Sequence, residues 1–361
     1  MKRAKSVTAV SLITGLLTTP LGDTSGEKAV GEPPKRRPIK KELTRRAGAT
    51  ADLPDDPALP ALREIRAASQ AGGWRVFGGL PMEFLVRSYK PGKRVALEMR
   101  AGNRRFAIKA YSSDPALEAE LYRALAVAGL GGDSVIRVPP LLVYEGDLRM
   151  VIIGWLKGPT AQELVENGQG ERAGELAARW LHHAASLTVK LGPPVGSAIV
   201  LHEARKWVAK LGAVNSGLGT AANTLDRILA RTRPKEGAPR LVHGSLYARH
   251  VLDLGDGTGL IDWDCFGQGP PEIDAGMFLA TVSRLGLVKA SLASEAARAE
   301  KAFLAGITGL VDERALAWHR AAALLHLAER GCKTTSRRKD DWVARTHTVL
   351  GEAARLADAA R

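Results

Sequence analysis

Cysteine is nearly absent: Cys265 and Cys332 are the only two in 361 residues. No CxxC or CxxH pairing exists, so the chain offers neither a zinc site nor a disulfide framework. A reducing, cytoplasmic setting is expected. Aromatic residues are scarce, at 5%, and no DNA-reading helix is evident, so nucleic acid finds no stacking platform. No apolar run reaches the roughly 20 residues that cross a bilayer, so no transmembrane segment is expected. The nearest candidate, SVTAVSLITGLLTTPLG after MKRAK, is diluted by Ser, Thr and Gly and lacks a clean cleavage site. It reads as a floppy or mis-started leader more than as a secretion signal. A glycine-rich GxGxxG is missing, and no internal repeat is visible.

What the chain does contain is enough for a normal core: 45% hydrophobic and 25% charged residues, the balance of a soluble globular protein. The net charge is +14, and about half of it lies in the first fifty residues, where Lys35, Arg36, Arg37, Lys40, Lys41, Arg45 and Arg46 cluster. Residues 1–54, with Pro33, Pro34 and Pro38 among like charges, read as a disordered basic extension. A solvated tail is the plain reading; contact with nucleic acid or anionic lipid is the other.

From Asp55 the pattern becomes periodic. DDPALPALREIRAASQ places Leu59, Leu62 and Ile65 on one helical face, with Asp55 or Asp56 as the capping candidate ahead of Pro57, and Gly72-Gly73 as the stop. PMEFLVRSY and RVALEMR alternate at period two around a Pro91-Gly92 turn, which predicts a hairpin. RRFAIKAY is a third strand. DPALEAELYRALAVAGL is a helix with Leu117, Leu121 and Leu125 in one stripe and Gly129 near its end. VPPLLVYEGDLRMVIIGWL gives two strands turning at Gly146-Asp147. Beyond Pro159, helical stripes run near 160–190, 199–231, 272–286, 295–307, 313–330 and 340–359. They are interrupted only by the short extended runs RLVHG, HVLDL and TGLIDW. The expected architecture is α+β and bilobal: a β-rich lobe over 55–157, a mostly helical lobe over 158–361 with a loop region at 241–264, and a cleft between them.

Several polar residues sit where packing alone does not explain them. Lys109, flanked by apolar residues in FAIKAY, either snorkels to water from an edge strand or sends its ammonium to a ligand. In kinases a strand lysine holds nucleotide phosphates and pairs with a glutamate on the next helix; Glu118 and Glu120 are the candidates here, and Glu118 lies on the side of Leu121 and Leu125. The turn YKPGKR, with Lys90, Lys93 and Arg94, is either an ordinary charged hairpin or a phosphate-approaching loop. His243-Gly244-Ser245 is followed by His250, then by Ile261-Asp262-Trp263-Asp264, and then by PPEIDAGMFLA with Asp274 opening a helix.

The ordered set of FAIKAY, IIGWLKGPTAQEL, LVHG, GLIDWD and EIDAGMFLA, over roughly residues 75–330, resembles the aminoglycoside phosphotransferase and choline-kinase-like family of small-molecule kinases. That resemblance implies a protein-kinase-like fold, with ATP and Mg²⁺ as cofactors and a small-molecule acceptor and a nucleotide as partners. Lys109 and Lys93 would meet phosphates, with Glu118 behind Lys109. Backbone near Ile153 and Gly154 would receive adenine, and Asp262 would hold Mg²⁺ with Trp263 packed beside it. His243 and Asp274 would brace the loop rather than act in chemistry.

Two positions depart from the family pattern H-G-D-x-x-x-x-N. Ser245 occupies the slot of the catalytic Asp, and a serine hydroxyl stays protonated near neutral pH, so it makes a poor general base. A contribution of about 10²–10⁴-fold is at stake. His250 occupies the Asn slot and replaces an oxygen donor with nitrogen, which suits Mg²⁺ poorly. The expectation is an ATP-dependent phosphotransferase acting on a small hydroxylated molecule with impaired turnover, or a pseudoenzyme that binds nucleotide or ligand for a partner. Arg205, Lys206 and Arg249 argue against a polycationic aminoglycoside as the acceptor.

Overall fold

The structure, a computed structural model, describes residues 53–70, 82–334 and 341–360. The basic extension up to residue 52 and the Gly72-Gly73 stop lie outside the described residues. Two compact units divide the chain: Met1–Pro115 with Val143–Ile153, and Ala116–Leu142 with Gly154–Arg361.

In the first unit, helix α1 (Ala61–Gln70) precedes the strands β1 (Met82–Lys90), β2 (Arg94–Ala101) and β3 (Arg104–Tyr111). With β5 (Leu141–Glu145) and β6 (Met150–Gly154) they form a five-stranded sheet in the order β1-β2-β3-β6-β5. β1 and β2 pair antiparallel from Met82↔Ala101 to Lys90↔Arg94, and β2 pairs antiparallel with β3, so Ala96 stands opposite Lys109. The alternation seen in the sequence is the burial pattern: Val95, Leu97, Met99, Ile108 and Ala110 pack with Leu59, Leu62 and Ile65 in one apolar cluster. Each such side chain contributes about 1.5–3 kcal/mol by leaving water.

The capping expectation for α1 needs correcting. The helix starts at Ala61, after Pro60, and Asp56 does other work. Its Oδ1 accepts the Ala58 N–H at 3.0 Å. Its Oδ2 accepts the Gly92 N–H at 2.7 Å and the Tyr89 hydroxyl at 3.0 Å. Two prolines at 57 and 60 hold this segment out of helical geometry, and the freed carboxylate ties down the tip of the β1–β2 hairpin.

Glu98 lies on the other face of β2 and is wholly covered. The side chains of Arg87, Arg100 and Arg105 donate to it, with Nε–H bonds of 2.8 Å from each. Burial pushes its carboxyl up, but the hydrogen bonds and charges of Arg100, Arg87 and Arg105 outweigh this and hold it below its ordinary range. Glu98→Gln removes the one charge that these guanidinium groups share. We expect a loss of about 1–3 kcal/mol, read as a lowered urea midpoint; an unchanged midpoint would mean that the arginines turn to solvent without cost.

The second unit begins with helix α2 (Ala116–Val127), which ends ahead of Gly129 at φ 88°. Leu121 and Leu125 are buried as expected, but Leu117 is 45% exposed; Glu118 and Tyr122 complete the buried face instead. Then come α3 (Ala161–Glu166), α4 (Gly170–Ser186), α5 (Ser197–Val214), α6 (Ser216–Arg231), α7 (Glu272–Val288), α8 (Ala293–Gly306), α9 (Glu313–Thr334) and α10 (Trp342–Ala359). The stripe over 199–231 is two helices because Asn215 caps α6, its Oδ1 accepting the Leu218 N–H at 3.0 Å. Helices α5, α6, α7, α9 and α10 enclose an apolar core around Trp318, whose indole N–H donates to the Leu229 carbonyl at 2.9 Å. Among the described residues no helix is long and apolar enough to cross a membrane.

Between α6 and α7 the chain runs through short strands: β7 (Arg240–Val242), β8 (Val251–Asp253), β9 (Thr258–Leu260) and β10 (Gly267–Gly269). β8 and β9 form a tight antiparallel hairpin. β9 also pairs, in parallel, with the two-residue β4 (Ile136–Arg137), which sequence reading misses. Arg172 of α4 grips Asp253 of β8 through two bonds of 2.9 and 2.8 Å.

Candidate functional site

The stretch from β7 to the start of α7 gathers five of the polar residues singled out by sequence: His243, Ser245, His250, Asp262 and Asp274. Each is positioned by backbone around it. Gly244 has φ +72°, and a Cβ there would lie 1.9 Å from the Cys265 carbonyl oxygen, so no side chain fits. Asp262 has φ 67°, the left-handed region that a non-glycine residue enters at a cost of about 1–3 kcal/mol. That cost is met where surrounding contacts over-determine the loop. Beside it Trp263 is fully buried, 4.6 Å from the His243 ring and edge-on to Trp180 at 5.4 Å.

Asp274, third residue of α7, accepts the His243 N–H and the Gly244 N–H, each at 2.8 Å, and the Trp180 indole N–H at 3.4 Å. It therefore fixes two consecutive amides of the loop. Burial pushes its carboxyl up to about 6, with the two amides pulling the other way. A carboxyl that ionises less readily in the fold contributes stability that is complete below about pH 4 and lost as pH rises through about 6. Asp274→Asn should flatten that decline in urea midpoint. The same slope in the variant would show that the amide donors outweigh burial.

The tautomers of both loop histidines follow from their carbonyl partners, since a carbonyl only accepts. His243 Nε2 lies 2.9 Å from the Ile261 oxygen, so it carries the proton. Its Nδ1 then accepts a long, 3.4 Å bond from the Ser245 hydroxyl. His250 Nδ1 lies 2.9 Å from the Ser245 carbonyl and likewise donates. Its Nε2 faces Asp262 Oδ2 at 3.3 Å. Burial drives the His250 ring toward its neutral form, against the attraction of Asp262. A neutral ring presents a lone pair to a carboxylate oxygen, an arrangement that a cation between them relieves.

This pair tests the fit of a divalent ion. Two donors sharing one ion through arms of about 2.1 Å stand roughly 3 Å apart, so the spacing suits. The nitrogen suits Mn²⁺ or Zn²⁺ better than Mg²⁺. No group of three or more His, Cys, Asp or Glu side chains able to hold a metal occurs among the described residues, so the pair would hold an ion together with other ligands, such as nucleotide phosphates. Glu118 and Asp262 both act on buried Tyr122: burial pushes its hydroxyl well up, and the two negative charges add to that.

The remaining predicted residues lie elsewhere in the chain. Lys93, Lys109 and Ile153 belong to the first unit; Glu118 and Gly154 belong to the second. Lys109 is buried on β3, and Glu118, unlike exposed Glu120, is buried in the first turn of α2. Lys93 is exposed at the hairpin tip, where the Gly92 amide is committed to Asp56 and the Lys93 amide to the Lys90 carbonyl. The Gly154 amide is donated to the Pro140 carbonyl at 2.8 Å.

A histidine-glycine loop braced by a helix-opening aspartate, ahead of a strained aspartate and a buried tryptophan, is what a family comparison should detect. A model of the phosphotransferase enzyme family matches residues 83–324. The chain belongs to that family. Its fold is shared with several solved structures. Ethanolamine kinase from Plasmodium vivax is 11% identical, with 84% of this chain and 91% of that one covered, at a TM-score of 0.52. Choline kinase LicA from Streptococcus pneumoniae is 13% identical, with 76% and 94% covered, at 0.51. A thermostable mutant of aminoglycoside phosphotransferase APH(4)-Ia, in ternary complex with ADP and hygromycin B, is 15% identical, with 79% and 96% covered, at 0.52. These likenesses bear out the expected α+β, protein-kinase-like fold of the phosphotransferase family. A comparison with curated protein sequences finds no match.

Sequence reading missed Arg172 and gave Asp56 the role of a helix cap; they hold the β8–β9 hairpin and the β1–β2 tip. Their partners lie 81 and 36 residues away, and nothing local marks them.

Proposed function

We propose that this phosphotransferase-family protein transfers the γ-phosphoryl group of ATP to a hydroxyl of a small molecule, at a reduced rate. The acceptor oxygen forms the new P–O bond as the bond between the γ-phosphorus and the bridging oxygen breaks. ADP leaves, and the acceptor proton passes to solvent. The observation that carries the reading is Asp262, held in a left-handed conformation with His250 at its side. A residue kept in that conformation at some cost is placed for a ligand.

In this reading Lys109, with Glu118 behind it, and Lys93 meet phosphates, and the backbone of Ile153 and Gly154 borders the base. Asp262 and His250 hold the divalent ion, Mg²⁺ in the family expectation, which neutralises triphosphate charge. Ser245 orients the acceptor hydroxyl through its lone pairs while its own proton points to His243. A cytoplasmic setting belongs to the same reading and rests on the two unpaired thiols, Cys265 and Cys332. The second reading, a nucleotide binder without turnover, is favoured by one feature: no carboxylate stands at position 245.

Thermal unfolding decides whether the nucleotide site is live. ATP with a divalent ion should raise the melting temperature of the full chain, and Lys109→Ala and Asp262→Ala should each abolish the rise. A wild-type chain that ATP leaves unshifted would end both readings.

A further inference from the structure

The 3₁₀ turn Ala248–His250 carries Arg249 directly beside the His250–Asp262 pair. The Arg249 guanidinium lies 4.0 Å from the centroid of the Tyr247 ring, and that of Arg330 lies 5.8 Å from the same centroid. Tyr247 is itself fixed from α9: its hydroxyl is 2.9 Å from His326 Nε2, and the His326 ring lies tilted against Trp207 at 4.6 Å. Arg284 of α7 is pushed below its ordinary range by burial and then by the charge of Arg249. Burial and the charge of Arg330 likewise push Arg249 down. No ion pair of Arg249 or Arg284 with a carboxylate occurs among the described residues; the charge of Asp262 acts on Arg249.

Two guanidinium groups over one phenol ring, with the charge of a third acting on them, are not explained by packing. A cation–π contact at a surface is worth about 0.5–1 kcal/mol, and like charges this close oppose it. The arrangement is relieved by an oxyanion, and guanidinium forks match carboxylate and phosphate geometry. We propose that the small-molecule acceptor carries a carboxylate or phosphate group, taken by Arg249 and Arg330 over Tyr247 with Arg284 adding its charge, beside the loop that presents its hydroxyl. This inference rests on the phosphotransfer reading for the word acceptor, but the anion site stands on the arginines alone. It sets this chain apart from kinases whose acceptors are cations, since the same patch would repel choline or an aminoglycoside.

The test is thermal unfolding of the full chain with four small hydroxylated probes: glycerol, glycerate, glycerol 3-phosphate and choline. Glycerate, glycerol 3-phosphate or both should raise the melting temperature by about 2–4 °C near tenfold saturation; glycerol and choline should not. The rise should survive Lys109→Ala, which rules out occupation of the nucleotide site, and vanish in Arg249→Gln and Arg330→Gln. Which of the two anions acts separates phosphate from carboxylate chemistry. A shift with choline, no shift with either anion, or an anion shift unchanged in both arginine variants would overturn the proposal. If ATP gives no shift but the anion shift is lost in the variants, the anion site holds and phosphotransfer fails. If ATP shifts the protein and no anion does, the reverse follows.

Discussion

Ser245→Asp is expected to raise turnover by about 10²–10⁴-fold, the range of a well-placed general base. The geometry says why the gain should be accessible. Ser245 is almost wholly buried, and its hydroxyl points at His243 Nδ1, whose ring is locked by the Nε2–H bond to the Ile261 carbonyl. A carboxylate at 245 would stand close to that Nδ1 lone pair. The contact becomes attractive once His243 takes a second proton, with both ring nitrogens donating. The carboxylate would then be held in place and ionised, able to accept the acceptor's proton as the P–O bond forms. Phosphoryl transfer draws mostly on positioning and metal electrostatics, which is why the wild type retains turnover in the proposed reading. The measurement is the rate of ADP release with the acceptor probes, wild type against variant, at saturating ATP. A variant that binds ATP as the wild type does but turns over no faster would show that position 245 is not the missing base.

How much of this was legible in the sequence follows from the range of each interaction. Period-two and period-3.6 apolar patterns are local, and they located the hairpin of β1 and β2, the strand that carries Lys109 and all the helical stretches. Loop residues His243, Ser245, His250, Asp262 and Asp274 could be picked out because the phosphotransferase family spaces them along one continuous stretch. What stayed hidden depends on partners far along the chain. Asp56 looked like a helix cap because its neighbours are helical in pattern, whereas the prolines that follow it, at 57 and 60, release it to Gly92. Leu117 fitted the stripe by spacing yet is exposed, because the buried face of α2 is centred on Glu118 and Tyr122. The parallel pairing of β4 with β9 joins residues more than a hundred positions apart through two residues of strand, too short to leave a pattern. The arginines around Tyr247 come from three separate elements, and only the fold makes them neighbours.

Replacing His250 by Asn should invert the choice of metal. In the wild type the loop offers one nitrogen, His250 Nε2, and one oxygen, Asp262 Oδ2, 3.3 Å apart. Hard Mg²⁺ prefers oxygen throughout, while Mn²⁺ accepts imidazole readily. Wild-type protein with ATP should therefore be stabilised at a lower concentration of Mn²⁺ than of Mg²⁺, by on the order of tenfold, which corresponds to about 1.4 kcal/mol. His250→Asn supplies an amide oxygen in place of nitrogen and should bring the Mg²⁺ requirement down to that of Mn²⁺ or below it. The melting temperature, titrated with each ion at fixed ATP, reads the order without any acceptor; the Mn²⁺ electron paramagnetic resonance signal gives a second, direct count of bound ion. The variant must keep the turn, since His250 also donates to the Ser245 carbonyl, and the asparagine NH₂ can take over that donation only if its oxygen faces Asp262 and the ion. If the wild type prefers Mg²⁺, or if both proteins rank the ions alike, a proton rather than a metal bridges His250 and Asp262, and the ion is held by Asp262 and phosphate oxygens alone.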